Sequence, residues 1–233
     1  MITTSEVVDF VRDTTPPPTA LDRALVELGR FRRAARRGAD TPLVATLKQV
    51  AVRPGSLLWS AWIDGTAAAA VDGRPAWVAV CAAANALAVD DGGAIEAVAI
   101  GYEVADRVRA DLGVAHTEAG WSVQCTAGAI GAAAAAGRAL GLDVGHVHHL
   151  IGLCATQAAG LAAAADTGPL QIGKAASNAV EAALLSRNGF TSAAQPLEGR
   201  RGLFALMSVP PAAAERNGTA ADARLGAAWS SPG

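Results

Sequence analysis

The sequence predicts an all-α fold, a multi-helix bundle of roughly eight to ten helices, on the basis of composition and periodicity. Hydrophobic residues make up 52% of the 233 residues but aromatic residues only 4%, so the apolar mass is mostly Ala, Val and Leu. Ala is the strongest helix former, and its small side chain lets helices approach one another closely. No alternation of apolar and polar residues lasts long enough to indicate a β-sheet.

The predicted helices follow one another with clear breaks. The first covers residues 3–13, with Ser5 as its cap, and a proline run separates it from an amphipathic helix over 19–38. Further helices are predicted over 42–51, 56–72, 76–90, 94–112, 120–140, 143–165 and 173–188, with a last short helix around 219–227. We expect residues 1–208 to form one helical domain and residues 209–233 a small-residue tail that is partly disordered.

Charge and cysteine content exclude several classes of function. The formal net charge of −2 provides no basic field to hold a nucleic-acid backbone. The one basic run, between Arg30 and Arg37, is expected to form a solvated helix face, with a binding patch as the alternative. The three cysteines lack metal-ligand spacing, and no segment resembles a signal peptide or a membrane span. We therefore expect a cytoplasmic protein without metal, cofactor, membrane or nucleic-acid partner.

A low charged fraction indicates that part of the surface is covered. Only 17% of the residues are charged, which is low for a soluble monomer. Gly128, Ala132 and Ala136 share one face of the helix predicted within 120–140, and small residues at that spacing allow a second helix to approach closely. We expect a homodimer through such small-residue faces. The alternative is an Ala-rich composition that reflects coding bias alone.

A dense series of short motifs runs from residue 101 to residue 202. It includes Gly101-Tyr102-Glu103-Val104-Ala105-Asp106-Arg107, Gly120-Trp121, Thr126-Ala127-Gly128-Ala129-Ile130-Gly131, Gly173-Lys174-Ala175-Ala176 and Leu197-Glu198-Gly199-Arg200-Arg201-Gly202. With these motifs the chain resembles the helical domain of the MmgE/PrpD family, which includes 2-methylcitrate dehydratase and cis-aconitate decarboxylase. The resemblance implies a helical domain that, in the family, faces an α/β domain across the active site. That second domain is expected to be lacking here.

The resemblance also implies where catalytic groups would lie, and most of them are replaced. Asp72 matches the first Asp of the family's acidic segment. Ser122 and Gln171 stand where the family has histidines, and Gly168 stands where it has a lysine. His exchanges protons near neutral pH and Lys holds a substrate carboxylate, whereas Ser, Gln and Gly do neither. We therefore expect neither 2-methylcitrate dehydration nor cis-aconitate decarboxylation, but a largely uncharged small-molecule substrate.

Each candidate site residue has a plainer alternative. Asp72 is a general acid or base, or else it caps the helix that begins near residue 75. Ser122, Gln124 and Gln171 form a neutral polar pocket, or else they fill space that the lost groups leave. Lys174 binds substrate, or else it is solvated. The apolar lining of the site is assigned to Trp59, Trp62, Trp77 and Trp121.

Three further predictions concern residues outside that set. Cys125 is expected to be a buried, inert thiol. His146 and His149 have a spacing that suits a metal, but a solvent-facing helix start is favoured because no further ligand lies nearby. Glu103 is expected to be a buried structural acid.

The resulting functional hypothesis is a repurposed lyase, isomerase or cyclase. It would act on a largely uncharged intermediate by acid–base catalysis, in bacterial secondary metabolism. The alternative is a non-catalytic partner or scaffold subunit of a biosynthetic complex, and a fragment without a function of its own is the third possibility.

Overall fold

The computed structural model describes residues 1–50, 53, 55–163 and 165–208, and over this part of the chain the fold is all-α, as predicted. Among these residues the only β-type pairing is a single antiparallel bridge between Trp121 and Leu161. The expected tail, with its helix around 219–227, lies outside the described residues.

Ten α-helices are described, together with a single 3-10 turn at Ala165–Thr167. They are α1 (Thr4–Asp13), α2 (Pro18–Gly38), α3 (Pro42–Gln49), α4 (Leu57–Ala69), α5 (Val78–Leu87), α6 (Asp91–Glu118), α7 (Val123–Ala139), α8 (Val144–Ala155), α9 (Gly168–Arg187) and α10 (Leu203–Met207). No helix among the described residues is both long enough and apolar enough to cross a membrane.

Helix starts follow capping chemistry. α1 is capped by Thr3 and not by Ser5, because the Thr3 hydroxyl accepts from the Glu6 N–H while the Glu6 carboxylate accepts from the Thr3 N–H. Asp90 and Asp143 cap α6 and α8 through their carboxylates. These side chains satisfy backbone N–H groups that have no partner inside the helix.

Two boundaries differ from the prediction close to the candidate site residues. α8 ends at Ala155 rather than at 165, because the chain then turns through Gly160, whose φ of +153° is accessible mainly to glycine. α9 begins at Gly168 rather than at 173, since Pro169 fits the first turn of a helix. The residues between α8 and α9 therefore form a loop that can reach neighbouring helices.

Glycines bring the central helices into close contact. α7 packs against α5, α6, α8 and α9. A Cβ atom on its Gly131 would lie 2.5 Å from the Gly101 carbonyl oxygen of α6. Gly128, Ala132 and Ala136 are all buried inside the chain. The small-residue face that was expected to join two copies is thus used within one copy, and this route to a homodimer is wrong.

α4 and α9 cross equally closely. A Cβ atom on Gly173 would lie 2.2 Å from the Thr66 hydroxyl oxygen and 2.5 Å from the Trp62 carbonyl oxygen. Only glycine lets the two backbones approach to this distance. The crossing places the first turns of α9, which carry Gln171 and Lys174, beside α4.

Candidate functional site

The turn between α6 and α7 is joined to the loop after α8. The Ser122 N–H donates to the Gly160 carbonyl oxygen at 2.9 Å, next to the antiparallel bridge between Trp121 and Leu161. Ser122 is the N-cap residue of α7, and its side chain makes no capping hydrogen bond. The loop therefore holds the start of α7 through its backbone.

Gln171 reaches the same loop from the first turn of α9. Its Oε1 accepts from the Leu161 N–H at 2.8 Å, and its Nε2 donates to the Leu161 carbonyl oxygen at 3.5 Å. The fold thus brings Ser122 and Gln171, the two positions matched to the family's histidines, to the same two-residue segment. Both the oxygen and the nitrogen of the Gln171 amide therefore bind this loop.

Cys125 lies against the same segment. The Ser122 hydroxyl donates to its Sγ at 3.5 Å, and a Cβ atom on Gly160 would lie 2.5 Å from the Cys125 Cβ. Burial raises the pKa of the Cys125 thiol, opposed in part by the hydrogen bond from Ser122. A protonated thiol is a poor nucleophile, so this environment fits the prediction of an inert cysteine.

Gln124 and Asp72 both involve the loop between α4 and α5. The Gln124 Nε2 donates to the Ala76 carbonyl oxygen at 3.1 Å and so ties α7 to this loop. Asp72 is exposed, and its backbone carbonyl accepts from the Arg37 guanidinium of α2. The alternative role of Asp72 as a helix cap is wrong, because α5 begins at Val78, after an N-cap residue other than Asp72. Its catalytic role stays a prediction.

Lys174 and two tryptophans lie in contact with one another. The Lys174 Nζ lies 4.8 Å from the centre of the Trp62 ring, and Trp59 stacks on Trp62 with centroids 5.0 Å apart. All three side chains are half-buried, and the binding role of Lys174 stays a prediction beside the alternative of a solvated side chain. The buried Trp62 Nε1 and Thr66 hydroxyl have no hydrogen-bond partner among the described residues. We call Trp59, Trp62 and Lys174 the tryptophan–lysine surface.

Trp77 belongs instead to a buried hydrogen-bond network. It is 3% exposed; its backbone N–H donates to the Tyr102 hydroxyl at 3.2 Å and its Nε1 donates to Asp106 Oδ1 at 3.1 Å. The Tyr102 hydroxyl donates to the buried Glu27 carboxylate at 3.0 Å, and burial raises the pKa of Tyr102. These contacts do not fit the prediction that Trp77 lines a substrate. Sequence reasoning missed Glu27, because its buried partner Tyr102 is distant along the chain.

Trp121 has a buried histidine as its aromatic partner. It stacks on His116 with centroids 6.5 Å apart. His116 is 1% exposed, with its Nε2 2.8 Å from the Thr126 hydroxyl oxygen and its Nδ1 2.9 Å from the Met207 carbonyl oxygen. Sequence reasoning missed His116, since a lone histidine in a helix does not reveal a contact with α10. Its two ring nitrogens join α6, α7 and α10.

Other titratable groups add no metal site. His146 lies 2.9 Å from Asp143 Oδ1, and among the described residues no group of three or more His, Cys, Asp or Glu side chains is placed to hold a metal. Glu103 is exposed, so its predicted burial is wrong. Asp64 of α4 was not singled out; burial raises the pKa of its carboxyl, and Lys48 opposes that shift.

Comparison with known proteins identifies the domain. No curated protein matches the chain. A family model described as the MmgE/PrpD N-terminal domain matches residues 56–215, more than half of the chain. The matched segment contains the tryptophan–lysine surface, Asp72, and the Ser122–Gln171 loop contact. The chain therefore belongs to the MmgE/PrpD family, through that family's helical N-terminal domain.

Proposed function

We propose that the chain binds a largely uncharged small molecule and converts it by acid–base catalysis of the lyase, isomerase or cyclase type. The family's domain is associated with dehydratase- and lyase-like enzymes, which supports the reaction class. The observation that carries the proposal is the tryptophan–lysine surface. There, an indole N–H that has no partner among the described residues and an ammonium group accompany the same aromatic ring.

A ligand oxygen is the group that would complete this surface. A buried donor without a partner destabilises a protein by about 1–3 kcal/mol, and an oxygen that accepts from Trp62 Nε1 removes that penalty. The indole surface that the stacked pair of Trp59 and Trp62 leaves exposed suits an apolar body, while Lys174 supplies positive charge. A carbonyl or hydroxyl oxygen on a mostly apolar molecule meets all of these demands.

Lys174 suits proton-transfer chemistry at such an oxygen. An ammonium group near a carbonyl stabilises the negative charge that develops when a neighbouring C–H proton is removed. Asp72 is our proposed acid or base, on the strength of its match to the family's acidic segment. Along the axis of α4, Trp62 lies about 10 Å before the end of the helix. Asp72 follows that end, so a ligand that contacts both Trp62 and Asp72 must extend along α4.

The exchanged positions argue against the family's polycarboxylate substrates. Gln171 is held by Leu161, Ser122 donates to Cys125, and Gly168 brings no charge to the start of α9. No charge remains at these positions to hold a carboxylate. We therefore do not propose 2-methylcitrate dehydration or cis-aconitate decarboxylation.

The proposed setting is the cytoplasm, in bacterial secondary metabolism. The three cysteines are free and buried, which supports a reducing compartment. The departure from the family's charged positions supports a substrate outside its dehydratase and decarboxylase reactions. No cofactor is part of the proposal.

A second candidate is a non-catalytic partner or scaffold subunit of a biosynthetic complex. One observation favours it: the polar ends of Ser122, Gln124 and Gln171 all bind protein atoms. Side chains that join loops contribute to stability without any chemistry. The two candidates predict different effects of a single substitution in the proposed site: an enzyme loses its product, and a scaffold does not.

Mass spectrometry of metabolites separates the candidates. Four strains are compared: native, gene deletion, Lys174→Met and Asp72→Asn. An enzyme predicts that the deletion and Lys174→Met strains lose the same product and accumulate the same precursor, with no mass difference for an isomerase or cyclase and one water for a dehydratase. Loss of the product in the Asp72→Asn strain places Asp72 in the chemistry. A changed profile in the deletion strain alone supports the scaffold.

A further inference from the structure

Four arginines of α2 line one groove, whose lining includes none of the residues of the tryptophan–lysine surface. Arg30, Arg33, Arg36 and Arg37 surround a cavity of about 520 Å³, together with Gly73 of the loop between α4 and α5. Residues at these separations share a helix face, so the guanidinium groups gather along one side of α2. We call this feature the arginine groove.

Most of the positive charge in the arginine groove is uncompensated. Within the described residues, the ion pairs of its four arginines are limited to Arg30 with Glu27 at 2.6 Å. Arg37 donates to a backbone carbonyl, that of Asp72, which leaves its charge unbalanced. Arg33 and Arg36 are exposed, as is the carboxylate of Asp72 beside Gly73. Since the whole chain has a net charge of −2, this concentration is local.

We propose that the arginine groove binds a soluble ligand that carries two linked phosphoryl groups. A guanidinium presents a planar fork that pairs with phosphate oxygens through two parallel hydrogen bonds. Each phosphoryl group carries about −1.5 to −2 charges, so two of them match the three arginines that lack a carboxylate partner. The volume of the groove lies in the range of small-molecule sites.

The groove is connected to the loop that carries Asp72. Arg37 contributes to the groove and also binds the Asp72 carbonyl, and Gly73 lines the groove directly. A phosphoryl group that draws Arg37 toward it therefore acts on the loop between α4 and α5. The proposal stands apart from the tryptophan–lysine surface and does not depend on the function proposed for it.

Isothermal titration calorimetry with inorganic pyrophosphate at low ionic strength tests the proposal. The native chain is compared with the double variant Arg33→Gln/Arg36→Gln, which keeps exposed residues of similar helix propensity. The control is Arg12→Gln/Arg187→Gln, which removes the same charge from the exposed last turns of α1 and α9. We expect pyrophosphate to bind the native chain and the control equally, and the groove variant at least about tenfold more weakly.

Three results would overturn the proposal. The first is no heat of binding from the native chain. The second is equal weakening in both double variants, which would mean that only net charge matters. The third comes from co-sedimentation with phosphatidylglycerol vesicles: groove-dependent binding to vesicles without binding of pyrophosphate would assign the arginines to a lipid headgroup. Circular dichroism confirms that each variant is folded before titration.

Discussion

At the scale of single residues, Trp62 and Trp77 have indole nitrogens in opposite surroundings. The Trp77 Nε1 donates to Asp106, whereas the Trp62 Nε1 is buried without a partner among the described residues. Native proteins seldom leave such a donor unsatisfied, and each exception needs its own explanation. The same substitution at Trp62 and at Trp77 should therefore change the free energy of unfolding by different amounts.

Substitution by Phe removes the indole N–H at either site. We expect Trp77→Phe to lower the free energy of unfolding by about 1.5–3 kcal/mol more than Trp62→Phe does, because only Trp77 loses a hydrogen bond to a carboxylate. Urea unfolding of the two variants measures the difference. A loss for Trp62→Phe as large as that for Trp77→Phe would show that the Trp62 N–H already has a partner in solution.

The buried thiols predict a dependence of stability on pH. Burial raises the pKa of Cys81 and Cys154 from 9.0 to about 12. The unfolded chain therefore loses these protons first, so stability is full below pH 9 and falls as the pH rises toward 12, by about 1.4 kcal/mol per pH unit for each thiol. We expect the free energy of unfolding of Cys154→Ala to fall less steeply with pH between pH 9 and 10.5, by the contribution of one thiol. An unchanged slope would contradict the raised pKa.

At the scale of elements, local sequence predicted most helices but not the contacts that end them. Pro and Asp at helix starts and Gly at breaks were sufficient to place α1 to α5, α7 and the start of α6 within three residues, whereas α6 ends at Glu118 and not at 112. The early end of α8 and the existence of α10 were missed. They depend on the Gln171–Leu161 and His116–Met207 contacts, which join distant parts of the chain.

The same limit applies to the candidate site. Family-matched positions indicated that Ser122 and Gln171 would lie close together, and the structure places both at one loop. Residue type alone grouped the four tryptophans, although only Trp59 and Trp62 stack on each other among the described residues. Side-chain direction in a helix bundle depends on neighbouring helices, which residue type does not reveal.

At the scale of elements, the prediction concerns the stability of the crossing between α4 and α9. Gly173→Ala adds a Cβ atom 2.6 Å from the Thr66 backbone nitrogen, so the helices must separate. We expect a loss of about 1–3 kcal/mol in the free energy of unfolding, although Ala favours a helix. The matched control is Gly145→Ala in α8, where the nearest atom is 3.6 Å away. Thermal unfolding checks both variants, and similar stability for the two would contradict the close approach.

At the scale of the whole molecule, the described part of the chain has a core rich in small residues and leaves several large apolar residues exposed. Leu25, Val26, Val114, Phe190 and Leu206 are each more than half exposed. With only 17% charged residues, such a surface supports the proposal of a homodimer, although not through α7.

Sedimentation equilibrium tests the homodimer. We expect twice the chain mass of 23.3 kDa at micromolar concentration. Val26→Glu places a charge on the exposed face of α2, and Val44→Ala, which is buried, serves as a control that does not alter the surface. A measured mass of one chain over a hundredfold range of concentration would contradict the dimer. The proposal for the tryptophan–lysine surface does not depend on this result.

The central claim is that the tryptophan–lysine surface binds a largely uncharged small molecule, and ligand capture tests it most directly. Purified native chain, Trp62→Phe, Lys174→Met and the control Lys48→Met are each incubated with a metabolite extract of the cells that carry the gene, recovered and denatured, and the released compounds are identified by mass spectrometry. The account predicts one neutral, oxygen-bearing compound enriched on the native chain and on Lys48→Met, and depleted on Trp62→Phe and Lys174→Met. Equal enrichment on all four proteins, or no enriched compound on the native chain, would contradict it.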